Sequence, residues 1–213
     1  MYQTINKVSE IREIRFEDYE SVKKRLVVRA VSRKNRILRF RDSPFTECLD
    51  FAMICCIDLG FSEGWKRTVR VLKTHLDLWG VSEQKLFDDA VKSGAALLPP
   101  FFMPLEKMLG ISSGDDLDGP PLLYILTNIS RNFGASALFY PGVLGEIHQE
   151  IGSFYVLPSS VHELIIVRDS EAFSPDSLGC IVHQVNQTEL KDSDYLSDSV
   201  YYYGGPSVPL QIV

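Results

Sequence analysis

The sequence contains the segment Phe154-Tyr-Val-Leu-Pro-Ser-Ser-Val-His-Glu-Leu-Ile-Ile-Val167, in which two short apolar runs flank a polar centre. Val, Ile, Phe and Tyr dominate both runs, and these side chains favour a pleated, half-buried surface. Pro158 has a fixed φ and no N–H, so it is more typical of a turn than of a strand interior. The segment therefore predicts a β-hairpin with polar groups gathered at its tip.

The hairpin tip carries the candidate catalytic residues, Ser160 and His162. They are two positions apart, so in extended chain their side chains lie on the same face. A serine hydroxyl bonded to an imidazole is the minimal unit of an activated nucleophile. Glu163 points to the opposite face, so the group that orients His162 would come from elsewhere, with Asp50 and Glu146 as candidates.

The same polar groups also have a structural interpretation, in which serines bond the backbone of the turn and His162 caps a strand. A third interpretation is ligand binding, for which the candidates are Ser159, Ser160, His162, Glu163, Thr127, Asn128 and Asp50. The chain has no G-x-S-x-G elbow, P-loop or G-x-G-x-x-G sequence. The sequence therefore indicates no cofactor.

Metal-binding and disulfide patterns are also missing. No His or acidic pair has the H-E-x-x-H spacing of a zinc site, and there is no C-x-x-C, so no metal is predicted. Cys55 and Cys56 are adjacent in a strand-like run and point to opposite faces. We expect Cys48, Cys55, Cys56 and Cys180 to be reduced and mostly buried.

Outward from the hairpin, the periodicity and the turn residues predict the other elements. Strands are predicted over residues 25–31, 49–59, 66–76, 122–126, 135–140 and 199–203, with a strand or arm over 1–16. Helices are predicted over 18–24, 82–94, 105–109 and 141–152, and from Ser174 onward. Ser32–Arg36 is predicted as a turn, and residues 204–213 are unassigned. This order predicts an α+β fold of mostly antiparallel sheet with interspersed packing helices.

Two lobes are expected within the 213 residues. The loop Ser112-Ser-Gly-Asp-Asp-Leu-Asp-Gly-Pro-Pro121 would join an N-terminal lobe, residues 1–118, to a C-terminal lobe, residues 119–213. No apolar run approaches the ~20 residues of a membrane helix, and Met1–Lys7 has no signal-peptide core. A cytoplasmic protein without a membrane partner is expected.

Charge is unevenly distributed along the chain. Residues 1–41 hold 12 Lys or Arg against 5 Asp or Glu, although the whole chain has a net charge of −6. Arginines and lysines over residues 25–41 could contact phosphate groups, which makes a nucleic-acid binder one alternative. A pI near 5.3 argues against a dedicated nucleic-acid binder.

Four segments together resemble a bacterial family of unknown function that is common in anaerobic gut bacteria. They are Leu76–Ala90, Leu126-Thr-Asn128 with Gly134-Ala135, Leu157-Pro-Ser-Ser-Val-His-Glu163, and Leu196-Ser-Asp-Ser-Val-Tyr201. The Leu-Pro-Ser-Ser-x-His-Glu motif is the most specific of these, and the resemblance spans roughly residues 16–203. The Trp79-Gly-Val-Ser82 helix start is similar to a second bacterial family of unknown function. Neither resemblance implies an activity or a cofactor.

The leading hypothesis is a binding or interaction module without catalysis, acting on an unknown protein or small molecule. It rests on the absence of a recognisable catalytic set. The alternatives are a hydrolase that uses Ser160 and His162, and a nucleic-acid binder that uses residues 25–41.

Overall fold

The computed structural model describes residues 14–62, 65–110 and 120–213. Its helices are α1 (Tyr19–Lys23), α2 (Arg33–Arg39), α3 (Lys73–Trp79), α4 (Glu83–Leu97), α5 (Leu105–Met108), a 3-10 helix (Gly134–Phe139), α6 (Val143–Ile151) and α7 (Pro175–Thr188). Its strands are β1 (Leu26–Ser32), β2 (Phe45–Cys48), β3 (Phe51–Ser62), β4 (Trp65–Arg70), β5 (Pro100–Pro104), β6 (Leu123–Asn128), β7 (Phe154–Pro158), β8 (Leu164–Arg168), β9 (Tyr201–Tyr203) and β10 (Gln211–Ile212). These elements confirm the predicted α+β class.

Two antiparallel sheets form the framework. The first has the order β1-β3-β2, and β4 also pairs with β3. The second has the order β10-β9-β7-β8-β6-β5. Strands β7 and β8 pair from Phe154–Arg168 to Pro158–Leu164, which confirms the predicted hairpin. Pro158 occupies the last position of β7, so the turn itself consists of residues 159–163.

The two predicted lobes share a sheet and a core. Strand β5 belongs to the first lobe by chain position, but it pairs with β6 of the second along its whole length. One cluster of buried side chains includes Leu26 and Phe51 from the first sheet together with Phe154 and Tyr201 from the second. The division into domains at residue 118 stays a prediction.

The segment predicted as a turn over Ser32–Arg36 is instead the start of helix α2. The Ser32 side chain accepts a hydrogen bond from the backbone N–H of Asn35, as an N-cap does. The helix has only seven residues and exposes its first two, Arg33 and Lys34. A helix this short shows no apolar stripe, so its polar sequence resembles a turn.

Two strand predictions are also wrong. Residues 135–140 were expected as a strand but lie mostly in the 3-10 helix, whose residues 134–138 are buried. Because its side chains are buried on every side, the apolar pattern of this segment has no diagnostic period. The strand expected over residues 66–76 ends at Arg70, and helix α3 begins at Lys73. His75 Nδ1 accepts a hydrogen bond from the Leu72 N–H, a local cap that alternation does not reveal.

Strands β2, β5 and β10 were not predicted. Pro100 and Pro104 bound β5, and prolines normally indicate a break in regular structure. An edge strand tolerates them because its outer N–H groups need no partner, and β5 lies at the end of the described sheet. The predicted arm over residues 1–16 and the loop over 112–121 lie largely outside the described residues.

Across the residues that the structure describes, no helix combines the length and the apolar content that crossing a membrane requires. No group of three His, Cys, Asp or Glu side chains in those residues is arranged to hold a metal ion.

All four cysteines are free thiols, but only Cys55 and Cys56 are fully buried. Cys48 is half-buried and Cys180 is exposed, so the expectation of mostly buried thiols holds for two of the four. Cys55 packs into the main core and Cys56 into a separate cluster, as adjacent strand positions should. Burial raises the pKa of both Cys55 and Cys56, so neither ionises readily at neutral pH.

Thiol titration should therefore separate the cysteines by position. At pH 8 a disulfide reagent should label Cys180 first and label Cys55 and Cys56 at least about 100-fold more slowly, because those two need a local opening of the sheet. The non-reduced chain in denaturant should release four thiols, and Cys180→Ser should remove the fast phase. Finding fewer than four thiols would contradict the assignment of four free cysteines.

Candidate functional site

The turn between β7 and β8 holds Ser160 and His162 as predicted, but the two side chains do not form a nucleophile–base pair. The Ser160 hydroxyl oxygen accepts a hydrogen bond from the backbone N–H of His162 at 3.0 Å. The Ser160 N–H donates to the carbonyl of Glu163 at 3.1 Å. Both groups of Ser160 therefore satisfy the backbone of the turn, as the structural interpretation requires.

The His162 ring is held by the segment that enters the 3-10 helix. Its Nδ1 accepts a hydrogen bond from the Phe133 N–H at 3.1 Å, and the two rings lie 5.1 Å apart. A neutral imidazole with an accepting Nδ1 carries its proton on Nε2. That Nε2 faces Asp194 Oδ1 at 3.8 Å. The only basic nitrogen of the ring is thus occupied by a backbone donor.

Thr127 and Asn128, at the end of β6, join the same cluster. The Thr127 hydroxyl donates to the His162 carbonyl at 2.8 Å, and the Gly134 N–H donates to that carbonyl at 3.0 Å. Asn128 binds locally: its amide donates to the Asn132 carbonyl and its oxygen accepts from the Ser130 N–H. We refer to Thr127, Asn128, Phe133, Ser160 and His162 as the hairpin-tip cluster.

The other predicted tip residues play smaller parts. Ser159 and Glu163 are half-exposed in the turn, and Glu163 contributes its backbone carbonyl to Ser160. Glu146, which was a candidate for orienting His162, lies near the start of helix α6.

A residue of the first sheet also contacts the hairpin-tip cluster. The guanidinium of Arg29 stacks over the Phe133 ring at 3.6 Å from its centroid. The hairpin-tip cluster therefore ties the two sheets together.

Replacing His162 with alanine should lower stability because it removes the acceptor of the Phe133 N–H and the ring contact. We expect a loss of about 1–2 kcal/mol in the free energy of unfolding, or roughly 2–8 °C in Tm. His183→Ala is the matched control, since the His183 side chain is exposed, bonds Gln187 of its own helix and lies 4.0 Å from the exposed Asp198 carboxylate. Equal melting temperatures for the two variants would contradict a structural role for His162.

Asp50 does not join the hairpin-tip cluster. It lies between β2 and β3 and accepts hydrogen bonds from three hydroxyls of the segment before and within β9. Its Oδ2 accepts from Ser197 at 2.6 Å and from Ser199 at 2.7 Å, and its Oδ1 accepts from Tyr201. Ser197 and Tyr201 are buried. These residues form the Asp50 cluster.

The three hydroxyl partners of Asp50 were not predicted from the sequence. Ser197, Ser199 and Tyr201 alternate at positions two apart, which places them on one face of an extended chain. That alternation was the available signal, but it does not identify a carboxylate 147 residues away. Leu49, immediately before Asp50, has a positive φ of 55°, an uncommon conformation for a bulky side chain. The backbone there is strained in the turn that carries Asp50.

Asp50 lines a pocket of about 390 Å³. The first sheet and helix α2 contribute Ser32, Arg33 and Lys34, and the C-terminal part contributes Asn186, Lys191, Asp192, Tyr195, Ser197 and Asp198. The Asn35 side chain donates to the Asp192 carbonyl at 2.9 Å and so fixes one wall against the other. We call this cavity the Asp50 pocket.

Two tyrosine hydroxyls bond carboxylates that line the Asp50 pocket. Burial and the hydrogen bond to Asp50 raise the pKa of Tyr201. Burial, the hydrogen bond to Asp198 and the charges of Asp198 and Asp50 raise the pKa of Tyr195 to about 12. Within the described ranges, no Lys, Arg or His lies within ion-pair distance of Asp50. Among the described residues, the direct hydrogen-bond donors to its side chain are neutral hydroxyls.

Three arginines of the segment over 25–41 contact separate partners. Arg33 pairs with Glu47 at 3.0 Å, and the Arg36 guanidinium lies 4.1 Å from the centroid of the Phe45 ring. Arg29 contacts Thr68 as well as Phe133. The prediction that this segment is not a nucleic-acid site stays a prediction.

The sequence model of a family of unknown function, DUF5688, matches residues 1–204. The match covers nearly the whole chain, so the chain belongs to that family. No curated protein and no solved structure matches it.

Proposed function

We propose that this member of the DUF5688 family is a non-catalytic binding protein and that its ligand site is the Asp50 pocket. The proposal has two parts. The first is that the serine and histidine of the Leu-Pro-Ser-Ser-x-His-Glu motif build the fold and do not break bonds. The second is that a small ligand occupies the pocket between helix α2 and the segment from Asn186 to Asp198.

The occupied Nδ1 of His162 carries the first part. A general base must offer a lone pair within hydrogen-bond reach of the proton that it removes. In His162 that lone pair already accepts the Phe133 N–H, and the opposite nitrogen carries a proton. The Ser160 hydroxyl likewise accepts a bond from the adjacent backbone. Activation of Ser160 would require both bonds to break.

The chemistry of the Asp50 pocket supports the second part. Ligand sites are concave and place a few polar groups at fixed positions. This pocket has a carboxylate held by three hydroxyls, a second carboxylate at Asp198, and side chains from distant parts of the chain. Its volume of about 390 Å³ is that of a small-molecule site.

A paired experiment tests both parts. The rate of p-nitrophenyl acetate hydrolysis should be the same for the wild type, Ser160→Ala and His162→Ala. In an NMR fragment screen, bound fragments should shift the amide resonances of residues that line the Asp50 pocket. A loss of more than about 100-fold in hydrolysis on removing Ser160 would establish the hydrolase alternative. Fragment hits confined to the hairpin tip would contradict the choice of pocket.

A further inference from the structure

We infer that the Asp50 pocket recognises a zwitterion with a primary ammonium group and an anionic group, that is, a free amino acid or the end of a short peptide. This inference rests on the proposed function, because it names the ligand class of the same pocket.

The first observation is an unfilled acceptor on Asp50. A carboxylate offers about four acceptor positions, and the three hydroxyls of the Asp50 cluster use three of them. All three donors are neutral, and the pocket leaves the remaining position without a cation from the described residues. A charge held in this way favours a cationic partner, because charge-assisted bonds are stronger than neutral ones.

The second observation is a buried oxygen on Asn186. The Nδ2 of Asn186 donates to the Ser197 carbonyl at 2.9 Å and to Asp198 Oδ1 at 2.7 Å. These two acceptors fix the orientation of the amide, since a flipped amide would place oxygen against oxygen. Its Oδ1 is buried and has no hydrogen-bond partner within the residues described. A buried acceptor without a donor is costly, and Asn186 is one of the residues that line the pocket.

Both acceptors belong to residues that line the Asp50 pocket. Ser197 connects them, since its hydroxyl bonds Asp50 and its carbonyl accepts from Asn186. A primary ammonium has three N–H donors and a positive charge. It would therefore suit Asp50 better than a neutral hydroxyl, which would supply one donor and no charge.

Cations in the lining of the pocket account for the anionic group. Lys34 and Lys191 line the pocket and are exposed, and Arg33 beside them is paired with Glu47. A ligand with its ammonium at Asp50 has these cations within the same cavity. The lining holds three carboxylates, Asp50, Asp192 and Asp198, as well as three cations, Arg33, Lys34 and Lys191, and this mixed charge favours a zwitterion.

Isothermal titration of the full chain at low salt tests the ligand class. The probes are the twenty free amino acids and the dipeptide Ala-Ala, each compared with its N-acetyl form and its methyl ester. We expect at least one probe to bind, N-acetylation to weaken it by about 10-fold or more, and esterification to weaken it less. Free amino acids binding better than Ala-Ala would identify the source as a free metabolite, and the reverse order would identify a peptide end.

Two variants locate the binding. Asp50→Asn keeps an oxygen acceptor for the hydroxyls but removes the charge, and it should reduce affinity by about 10-fold or more. Lys191→Ala, at an exposed position, should reduce it less and should flatten its salt dependence. Melting curves of both variants confirm that the protein tested is folded. If Asp50→Asn does not fold, the comparison of free and N-acetylated probes decides the question in the wild type.

Equal binding of the N-acetylated and free probes would overturn the inference, as would no binding by any probe at 10 mM, a concentration about 10-fold above a millimolar Kd. If fragments of another chemical class still shift amides that line the Asp50 pocket, the proposed function stands while the ligand class fails. If nothing binds there, both fail.

Discussion

Replacing Gly134 with alanine should lower the free energy of unfolding by at least about 3 kcal/mol. A Cβ at this position would lie 2.6 Å from both the backbone nitrogen of Asn128 and the carbonyl oxygen of His162, and closer still to the Thr127 hydroxyl. Two of those atoms belong to the backbone and cannot rotate away. The substitution would therefore separate β6 from the hairpin tip. Thermal or urea unfolding measures the change.

Gly145→Ala is the matched control for that change. Gly145 lies inside helix α6, and a Cβ added there meets nothing within 4 Å. Alanine is a better helix former than glycine, so this variant should be as stable as the wild type or more stable by about 0.5–1 kcal/mol. If Gly134→Ala had the same melting temperature as the wild type, β6 and the hairpin tip would not approach each other this closely.

Replacing Asp50 with alanine should cost about 2–4 kcal/mol of stability. The substitution removes the shared acceptor of the Ser197, Ser199 and Tyr201 hydroxyls, two of which belong to buried residues. Tyr201 keeps one alternative, because its hydroxyl also lies 2.8 Å from the Ser197 oxygen. The loss should appear as a drop of roughly 4–16 °C in Tm.

Asp169→Ala controls for the loss of a carboxylate that accepts from a tyrosine. Asp169 bonds the Tyr202 hydroxyl at 2.9 Å at an exposed position, so its removal should change stability by less than about 0.5 kcal/mol. Similar costs for the two variants would show that the three hydroxyl bonds to Asp50 add little to the fold.

The elements with strong local signals were predictable. Helices were predicted to begin at Ser82 and at Ser174, and each of these side chains is an N-cap that accepts a hydrogen bond from the backbone N–H three residues ahead. The β7–β8 hairpin followed from two apolar runs around a polar turn. Periodicity did not identify three other elements: α2 is too short, the 3-10 helix is too uniformly buried, and β5 is bounded by prolines.

The candidate site was only partly predictable. The sequence identified His162, Thr127 and Asn128, and the structure brings them together, with His162 fixed by Thr127 and Phe133. It could not identify Phe133 as the donor to His162, because that bond depends on how the 3-10 helix approaches the turn. Asp50 was predicted to lie with the hairpin tip. No local sequence pattern links its carboxylate to Ser197 and Tyr201, so their contact could not be predicted.

The central claim is that the hairpin-tip histidine supports the fold and is not a base. Long-range ¹H–¹⁵N NMR of the full chain at about pH 8, above the usual pKa of histidine, reports the tautomer of His162 directly. The account predicts a proton on Nε2 and an unprotonated Nδ1 that accepts the Phe133 N–H. A proton on Nδ1 with a free Nε2 would contradict it, because His162 would then present the lone pair that a general base requires.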